Sequence, residues 1–401
     1  QIAQRGLEAE EKESLENAHK SRAEYLAVLG RAYLHNGKPE PAEKTLQEAY
    51  SLDAAQPTAG HALAEVAAKR GDFQEAVRYE AAAYVTNSSA SEEARPRTKL
   101  EEYYRKAHGS LDGLDDMLDA EYEKTSPPPF TVDSYHPSKA RTNRVVLAEL
   151  FTGAGCPPCS AADLVFDALG ERYSRSDLAI LVYHQHVPRP DPMANPSSQA
   201  RYAIYGGRGT PTFAIDGGSN MGGGPREYAQ TLFNRVASDV ESELDKPADA
   251  SIALDAKIDR GHVLVSANVD KVKSDSKDLK VQIALVEETL RYSGENGIRF
   301  HNMVVRSLGG EKNDGFALKP GLAAKFKQDF DLADLSAQLK KSLDDYEKAG
   351  HRGETFTFTE KKYQIDPSDL SVVAFVEDTK DKHILQAAYI RLKTAAGPEG
   401  K

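Results

Sequence analysis

The sequence predicts a multidomain chain of class α + α/β + β. It places a helical repeat at the N-terminus, an α/β domain in the centre and an antiparallel β-sandwich at the C-terminus. Three observations predict this. Residues to about 123 are rich in Ala, Glu, Leu and Tyr and patterned as helix, and strand-like apolar runs alternate with helical patterns between 140 and 247. From 248 onward, short runs alternate apolar and polar residues with the period of a half-buried strand. The 401 residues exceed one ordinary core, and 40% hydrophobic with 28% charged residues is a globular composition. No apolar run reaches the roughly 18 residues of a membrane helix. A net charge of −11 leaves no basic surface for a phosphate backbone, so nucleic acid is excluded as an expected partner.

Residues 1–124 form the first expected domain. "LGRAYLHNGKPEPAEKTLQEAY" at 29–50 and "LAEVAAKRGDFQEAVRYEAAAY" at 63–84 superpose at an offset of 34 residues. The offset aligns Leu29 with Leu63, Gly30 with Ala64, Gly37 with Gly71, Ala42 with Ala76 and Ala49-Tyr50 with Ala83-Tyr84. Two helices approach closely only where side chains are small, and the glycines mark the turns between them. This pattern resembles the tetratricopeptide repeat, and the resemblance implies a concave groove that receives a partner segment. Two repeats bury little by themselves, so 7–24 and 99–123 are expected as flanking helices.

"TSPPPFTVD" opens an expected Pro-rich linker over 125–139, since consecutive prolines cannot continue a helix. In the central domain, 140–247, "RVVLAELF" (144–151), "LAILVYHQH" (178–186) and "PTFAIDGG" (211–218) read as strands. Helical patterns lie between and after them at about 159–174, 197–206 and 225–245. In the third domain, 248–401, "HVLVSANVDKV", "KVQIALVEETL", "FHNMVVRSL", "LSVVAFVED" and "ILQAAYIRL" read as strands of a sandwich, interrupted by a helix over 331–350. "GGSNMGGG" at 217–224 reads as a hairpin or surface loop, and His301 and Arg306 read as structural.

The chain keeps two cysteines, Cys156 and Cys159, separated by Pro157 and Pro158, after one strand and at the start of a helix. That context gives a C-x-x-C pair redox meaning. The helix dipole favours an anion at its N-terminus, so Cys156 is the expected nucleophile, and Cys159 resolves the mixed disulfide. A disulfide closing so short a loop stabilises little, which disfavours a purely structural staple. The prolines have no N–H, so Cys156 is expected to be acidified only modestly.

Strand, C-x-x-C, helix, strand, helix, Thr210-Pro211, strand is the order of the thioredoxin family, and 140–247 resembles it. "ELFTGAGCPPCSAADLVF" is similar to secreted bacterial thioredoxin-like proteins. The resemblance implies a thiol–disulfide oxidoreductase acting on a protein client, with Pro211 cis and Thr210-Pro211 holding the substrate backbone. It also implies no cofactor beyond the redox pair. The chain departs from the family in having no Trp, with Gly155 before the first cysteine. Leu150 stands where a proton-relaying carboxylate is usual. Glu149, one residue back, is the candidate relay; otherwise it faces the other side of the sheet or pairs with a Lys or Arg.

His184 and His186 point to one face at the end of a strand near the cysteines. They anchor the Pro-rich loop, tune the thiols, or bind metal. In the last case Cys156, Cys159, His184 and His186 make a copper or zinc set, and the chain is a metal carrier rather than an enzyme. The chain opens on Gln1 rather than Met, and with the family likeness this gives the expectation of a removed signal segment and a periplasmic or secreted location.

Overall fold

The computed structural model describes residues 2–86 and 97–393. The part of the helical reading that falls on 87–96, and residues 394–401 of the expected third domain, lie outside the described residues. The chain divides into two units at Pro127/Pro128.

The first unit contains α1 (Ile2–His35), α2 (Pro39–Leu52), α3 (Pro57–Lys69), α4 (Phe73–Thr86), α5 (Arg97–His108) and α6 (Leu114–Thr125). Helices α1 and α2 form one hairpin and α3 and α4 another. The 34-residue offset maps the turn at Gly37 (φ 68°) onto that at Gly71 (φ 81°), both in the left-handed region that only glycine enters cheaply. The small residues sit at the contacts: Ala42, Ala49, Ala76 and Ala83 are buried, and a Cβ on Gly30 would lie 2.5 Å from Leu46 Cγ. Expected flanking helix 7–24 is instead the first part of α1, and 99–123 is broken into two helices at Gly109 and Gly113.

The second unit contains β1 (Val146–Thr152), α7 (Cys159–Arg172), β2 (Leu178–His184), α8 (Pro196–Ile204), β3 (Thr212–Ile215), β4 (Gly218–Met221), α9 (Ala229–Leu244), β5 (Ser251–Asp259), β6 (His262–Asp270) and β7 (Leu279–Arg291). There follow β8 (Phe300–Leu308), β9 (Phe316–Ala317), β10 (Ala324–Asp331), α10 (Leu332–Ala349), β11 (Leu370–Asp378) and β12 (Ile384–Arg391). One sheet runs β12-β11-β7-β8-β2-β1-β3-β4, with β9 pairing β7, and a three-stranded sheet runs β10-β6-β5. β1 and β2 are parallel, and β3 and β4 continue the edge antiparallel.

The expected boundary at 247/248 is not a break. β8 bridges β2 at Val182↔Val304, so the strands expected in a separate sandwich extend the sheet that carries the cysteines. The reason lies in the side chains. Val281, Ile283 and Leu285 of β7 and Val372, Ala374 and Val376 of β11 enter one core, shared with β6 and α10. Ala284 and Val286, with Val373 and Phe375, enter the other, shared with α7 and α9. Strands apolar on both faces must be covered on both. The three-stranded sheet shares a core with one face of the larger sheet, and the other face of the larger sheet backs the α/β region.

One buried ion pair and further buried hydrogen bonds lie across this join. Arg201 of α8 donates to Glu149 of β1 (2.7 and 2.9 Å) and to Glu377 of β11 (2.5 Å), and Gln282 of β7 donates to Glu377 (2.8 Å). Arg144 donates to Asp216 (2.8 Å) and to the Ile384 carbonyl (2.7 Å). The expected linker is likewise part of this unit from Phe130 onward: Phe130 packs on Phe233 and Tyr135 on Tyr173. Its prolines end a helix, but its aromatic residues still have apolar surface to bury.

Candidate functional site around the Cys156–Cys159 disulfide

β1 ends at Thr152, and the loop Gly153–Pro158 delivers Cys159 as the first residue of α7. Cys156 and Cys159 form a disulfide with Cα atoms 5.3 Å apart, and both are buried. Across from it, the Thr210–Pro211 peptide is cis. Thr210 Oγ1 is 3.3 Å from Cys156 Sγ and 2.9 Å from the Val187 carbonyl, so its one proton is shared between them. The Thr210 carbonyl oxygen lies 3.6 Å from Cys156 Sγ.

The helix start offers the sulfurs little. Pro157 and Pro158 have no N–H, the Cys159 N–H donates to the Cys156 carbonyl (2.9 Å), and the Ala161 N–H to Gly224 (3.3 Å). These donors are spent on carbonyls rather than on Cys156 Sγ.

Three segments close over the pair. The glycine run after β4 lies on the Pro158 and Pro211 side: Gly224 N–H donates to Pro158 (2.8 Å), and a Cβ on Gly223 would lie 2.2 Å from the Pro158 oxygen. The loop after β2, which holds a cis Val187–Pro188 bond, packs Arg189 against Gly155. The turn between β7 and β8 brings Glu295 to Arg189 (2.9 Å) and the Asn296 N–H to the Ala154 carbonyl (2.9 Å).

Behind the pair lies a buried polar cluster. Asp191 accepts from His184 Nδ1 (2.9 Å) and from the N–H groups of Ala154 (2.6 Å) and Met193 (2.8 Å). Although burial alone would raise it, His184 and these donors hold Asp191 down at about 2. The bond to an ionised carboxylate puts a proton on His184 Nδ1, and its buried Nε2 has no partner. Asp163, one turn after Cys159, accepts from Asn296 Nδ2 (2.8 Å), and Asp167, a turn further, from Asn302 Nδ2 (2.8 Å). Burial pushes Asp163 up to about 7 against the pull of Thr152 and His184. Asp167 is half-buried by surface area yet ringed closely by protein; burial takes it to about 7 as well, with Asn302 opposing and Glu171 reinforcing.

The structure bonds Cys156 to Cys159 and sets Thr210, which precedes the cis Pro211, beside Cys156. It does not bring Glu149 to them. Glu149 is clamped by Arg201 and by the Tyr205 hydroxyl (2.7 Å), one of the two alternatives the sequence left open. The set Cys156, Cys159, His184 and His186 does not converge on a metal. The sulfurs are bonded to each other, and His184 Nδ1 is engaged by Asp191. His186 Nδ1 accepts the Asp191 N–H (3.0 Å), and its ring stacks on Tyr346 (3.6 Å). Burial lowers His186 to about 4, which keeps it neutral. Both histidines therefore anchor the loop. His351 holds the same loop, accepting from Tyr346 Oη (2.7 Å) and donating to the Pro188 carbonyl (2.8 Å). Among the described residues, no group of three or more His, Cys, Asp or Glu side chains is placed to hold a metal ion.

Sequence reasoning missed Asp163, Asp167, Asp191 and Asn296. A usable signal existed for two of them: Cys159, Asp163, Asp167 and Glu171 recur every four residues, which puts them in one row along a helix.

No family model and no curated protein matches this chain. Among solved structures, it is similar to a domain of the outer membrane lipoprotein Omp28 from Porphyromonas gingivalis. That match has 12% identity, covers 36% of this chain and 89% of that one, and has a TM-score of 0.23. A mutant O-GlcNAc transferase from Thermobaculum terrenum matches at 17% identity over 45% of this chain and 33% of that one, with a TM-score of 0.17. The alkylpurine DNA glycosylase AlkC from Pseudomonas fluorescens, bound to DNA containing an abasic site analog, matches at 11% identity over 95% and 99%, with a TM-score of 0.19. TM-scores this low carry no weight for fold or function. Among the described residues, no helix is long and apolar enough to cross a membrane.

Proposed function

We propose that the chain is a thiol–disulfide oxidoreductase with a thioredoxin-like centre. The observation that carries the reading is the Cys156–Cys159 disulfide at the start of α7, with the Thr210 hydroxyl 3.3 Å from Cys156 Sγ just before β3. The sheet order β2-β1-β3-β4, with β1 and β2 parallel and the other pairs antiparallel, supports it. Cys156 attacks a client disulfide, Cys159 resolves the mixed disulfide, and Thr210-Pro211 lines the client strand. The paired hairpins of the first unit, read as tetratricopeptide-like, dock a segment of the client or of a partner protein. A chain with both cysteines paired fits an extracytoplasmic compartment.

The test is the reduction potential, poised in dithiothreitol or glutathione buffers and read by the mass shift on alkylation. A value near about −270 mV marks a reductant, and one above about −180 mV an oxidant or isomerase. A pair that does not reduce and reform reversibly, or a Cys159→Ser variant that traps no mixed disulfide through Cys156, overturns the reading.

A further inference from the structure

A resolving thiol at the buried end of a helix must lose a proton before it can attack, and burial leaves that proton no direct exit. Three carboxylates follow Cys159 on α7 at four-residue intervals: Asp163, Asp167 and Glu171. Residues four apart on a helix lie on one face about one turn apart, so this row runs along one side of α7, with Asp163 one turn from Cys159. Asp163 is buried, Asp167 half-buried and Glu171 exposed. A void of about 10 Å³, roughly the room of one water, is lined by Asp163, Asp167, His184, His301 and Asn302. It shares Asp167, Asn302, Phe166 and Val182 with a cleft of about 240 Å³ bounded by Glu171, Arg175, Glu288 and Thr289. His184, fully buried, lines the void with an Nε2 that has no partner.

We infer that Asp163, Asp167 and Glu171 form a proton path between the Cys159 sulfur and the cleft between α7 and β7–β8. The inference rests on the oxidoreductase reading and assigns the proton-accepting role to Asp163 rather than to Glu149. In the mixed disulfide, Cys156 Sγ is bonded to a client sulfur. The Cys159 thiol passes its proton to Asp163, and its sulfur bonds to Cys156 Sγ. The Cys156–client bond breaks with its electron pair on the client sulfur, which takes a proton from solvent. Asp163 then releases its proton through Asp167 to Glu171 and the cleft. Overall, the client disulfide is reduced to two thiols and the Cys156–Cys159 dithiol is oxidised.

The groups that face Asp163 are Thr152 of β1, His184 of β2, Asp191 and Asn296 of the two covering loops, and Asp167 of its own helix. Those facing Asp167 are Asn302 of β8, Glu171 and Arg226. Asn296 and Asn302 donate one N–H each, which either ionisation state of the carboxyl accepts. An acid held near neutrality can both take and give a proton at physiological pH, as a relay requires.

The experiment mixes the reduced full-length chain with one equivalent of 5,5′-dithiobis(2-nitrobenzoate) and follows release of the chromophore from pH 5 to 9. The first release reports attack by Cys156 and the second the attack of Cys159 on the mixed disulfide. In Asp163→Asn the second phase should slow by about tenfold or more at pH 7 and lose its rise near that pH, while the first changes less than about twofold. Asp167→Asn should slow the second phase by a smaller factor, and it carries the test alone if Asp163→Asn does not fold. Equal slowing of both phases indicates a structural role and overturns the path, as does an unchanged second phase in both variants. A wild-type chain that gives no two-phase release overturns the oxidoreductase reading instead.

Discussion

Replacing Arg201 by Met removes the cation that holds two buried carboxylates of different strands. Burial alone would lower the Arg201 pKa, yet Glu149 and Glu377 together hold it well above the ordinary arginine value. Three charge-assisted hydrogen bonds of 2.5–2.9 Å are lost, and both glutamates remain buried without their counter-charge. Leaving one side of a buried pair uncompensated costs about 3–5 kcal/mol. For a unit of this size that lowers Tm by roughly 6–20 °C. Urea and thermal unfolding of the full chain, followed in the tyrosine near-UV circular dichroism, measure it, since the chain has no Trp. The triple variant Arg201→Met, Glu149→Gln, Glu377→Gln should recover at least half of the loss, because neutral amides need no counter-charge and still serve Tyr205 and Gln282. A single variant costing under about 1 kcal/mol would refute the reasoning, because it would mean that water or rotation already satisfies the glutamates.

Asp163→Asn should also reshape stability against pH. An acid raised from 3.8 to about 7 stabilises the fold at low pH and loses that contribution as pH rises through this window, so the variant should gain up to about 4 kcal/mol on wild type between pH 4 and pH 8 in paired urea melts. An unchanged difference across that range would show the carboxyl to be hydrated. Gly223→Ala should cost about 1–3 kcal/mol in the same melts, because its Cβ would lie 2.2 Å from the Pro158 oxygen and 2.4 Å from Pro211 Cγ. Glu295→Gln should leave stability within about 1 kcal/mol yet speed reduction of the disulfide by dithiothreitol up to about fivefold, as expected if the Arg189–Glu295 pair helps keep the cover shut. An unchanged reduction rate would mean that the cover does not depend on that pair.

Local signals carried much of the fold into the sequence. The glycine turns and alanine contacts of the first two hairpins are visible as a 34-residue period because each answers to its own neighbours. The Cys-Pro-Pro-Cys helix start and the Thr210-Pro211 strand start are visible for the same reason. The joining of two expected domains into one sheet was harder to see, since it is made by residues far apart in the chain, with only Val182 and Val304 registering β2 on β8. Its trace in the sequence is that "IALV" at 283–286 and "VVAFV" at 372–376 are apolar without alternation, which a sheet wet on one side does not need. Glu149 could not be assigned from sequence because its partner, Arg201, is 52 residues away. Asp163 was legible as part of a four-residue row, but its burial depends on Asn296, 133 residues further on.

The two-faced strands β7 and β11 have a consequence for how the protein comes apart. Neither core can open without stripping one side of the same ribbon, so the second unit should unfold as one cooperative body, with the amides of these strands the last to exchange with solvent. A cut at residue 247, harmless on the map of separate domains, would leave a long apolar sheet edge bare and invite association with other chains. Whatever the Cys156–Cys159 pair does, it does within a body whose cohesion is set largely by residues that follow it in sequence by more than a hundred positions.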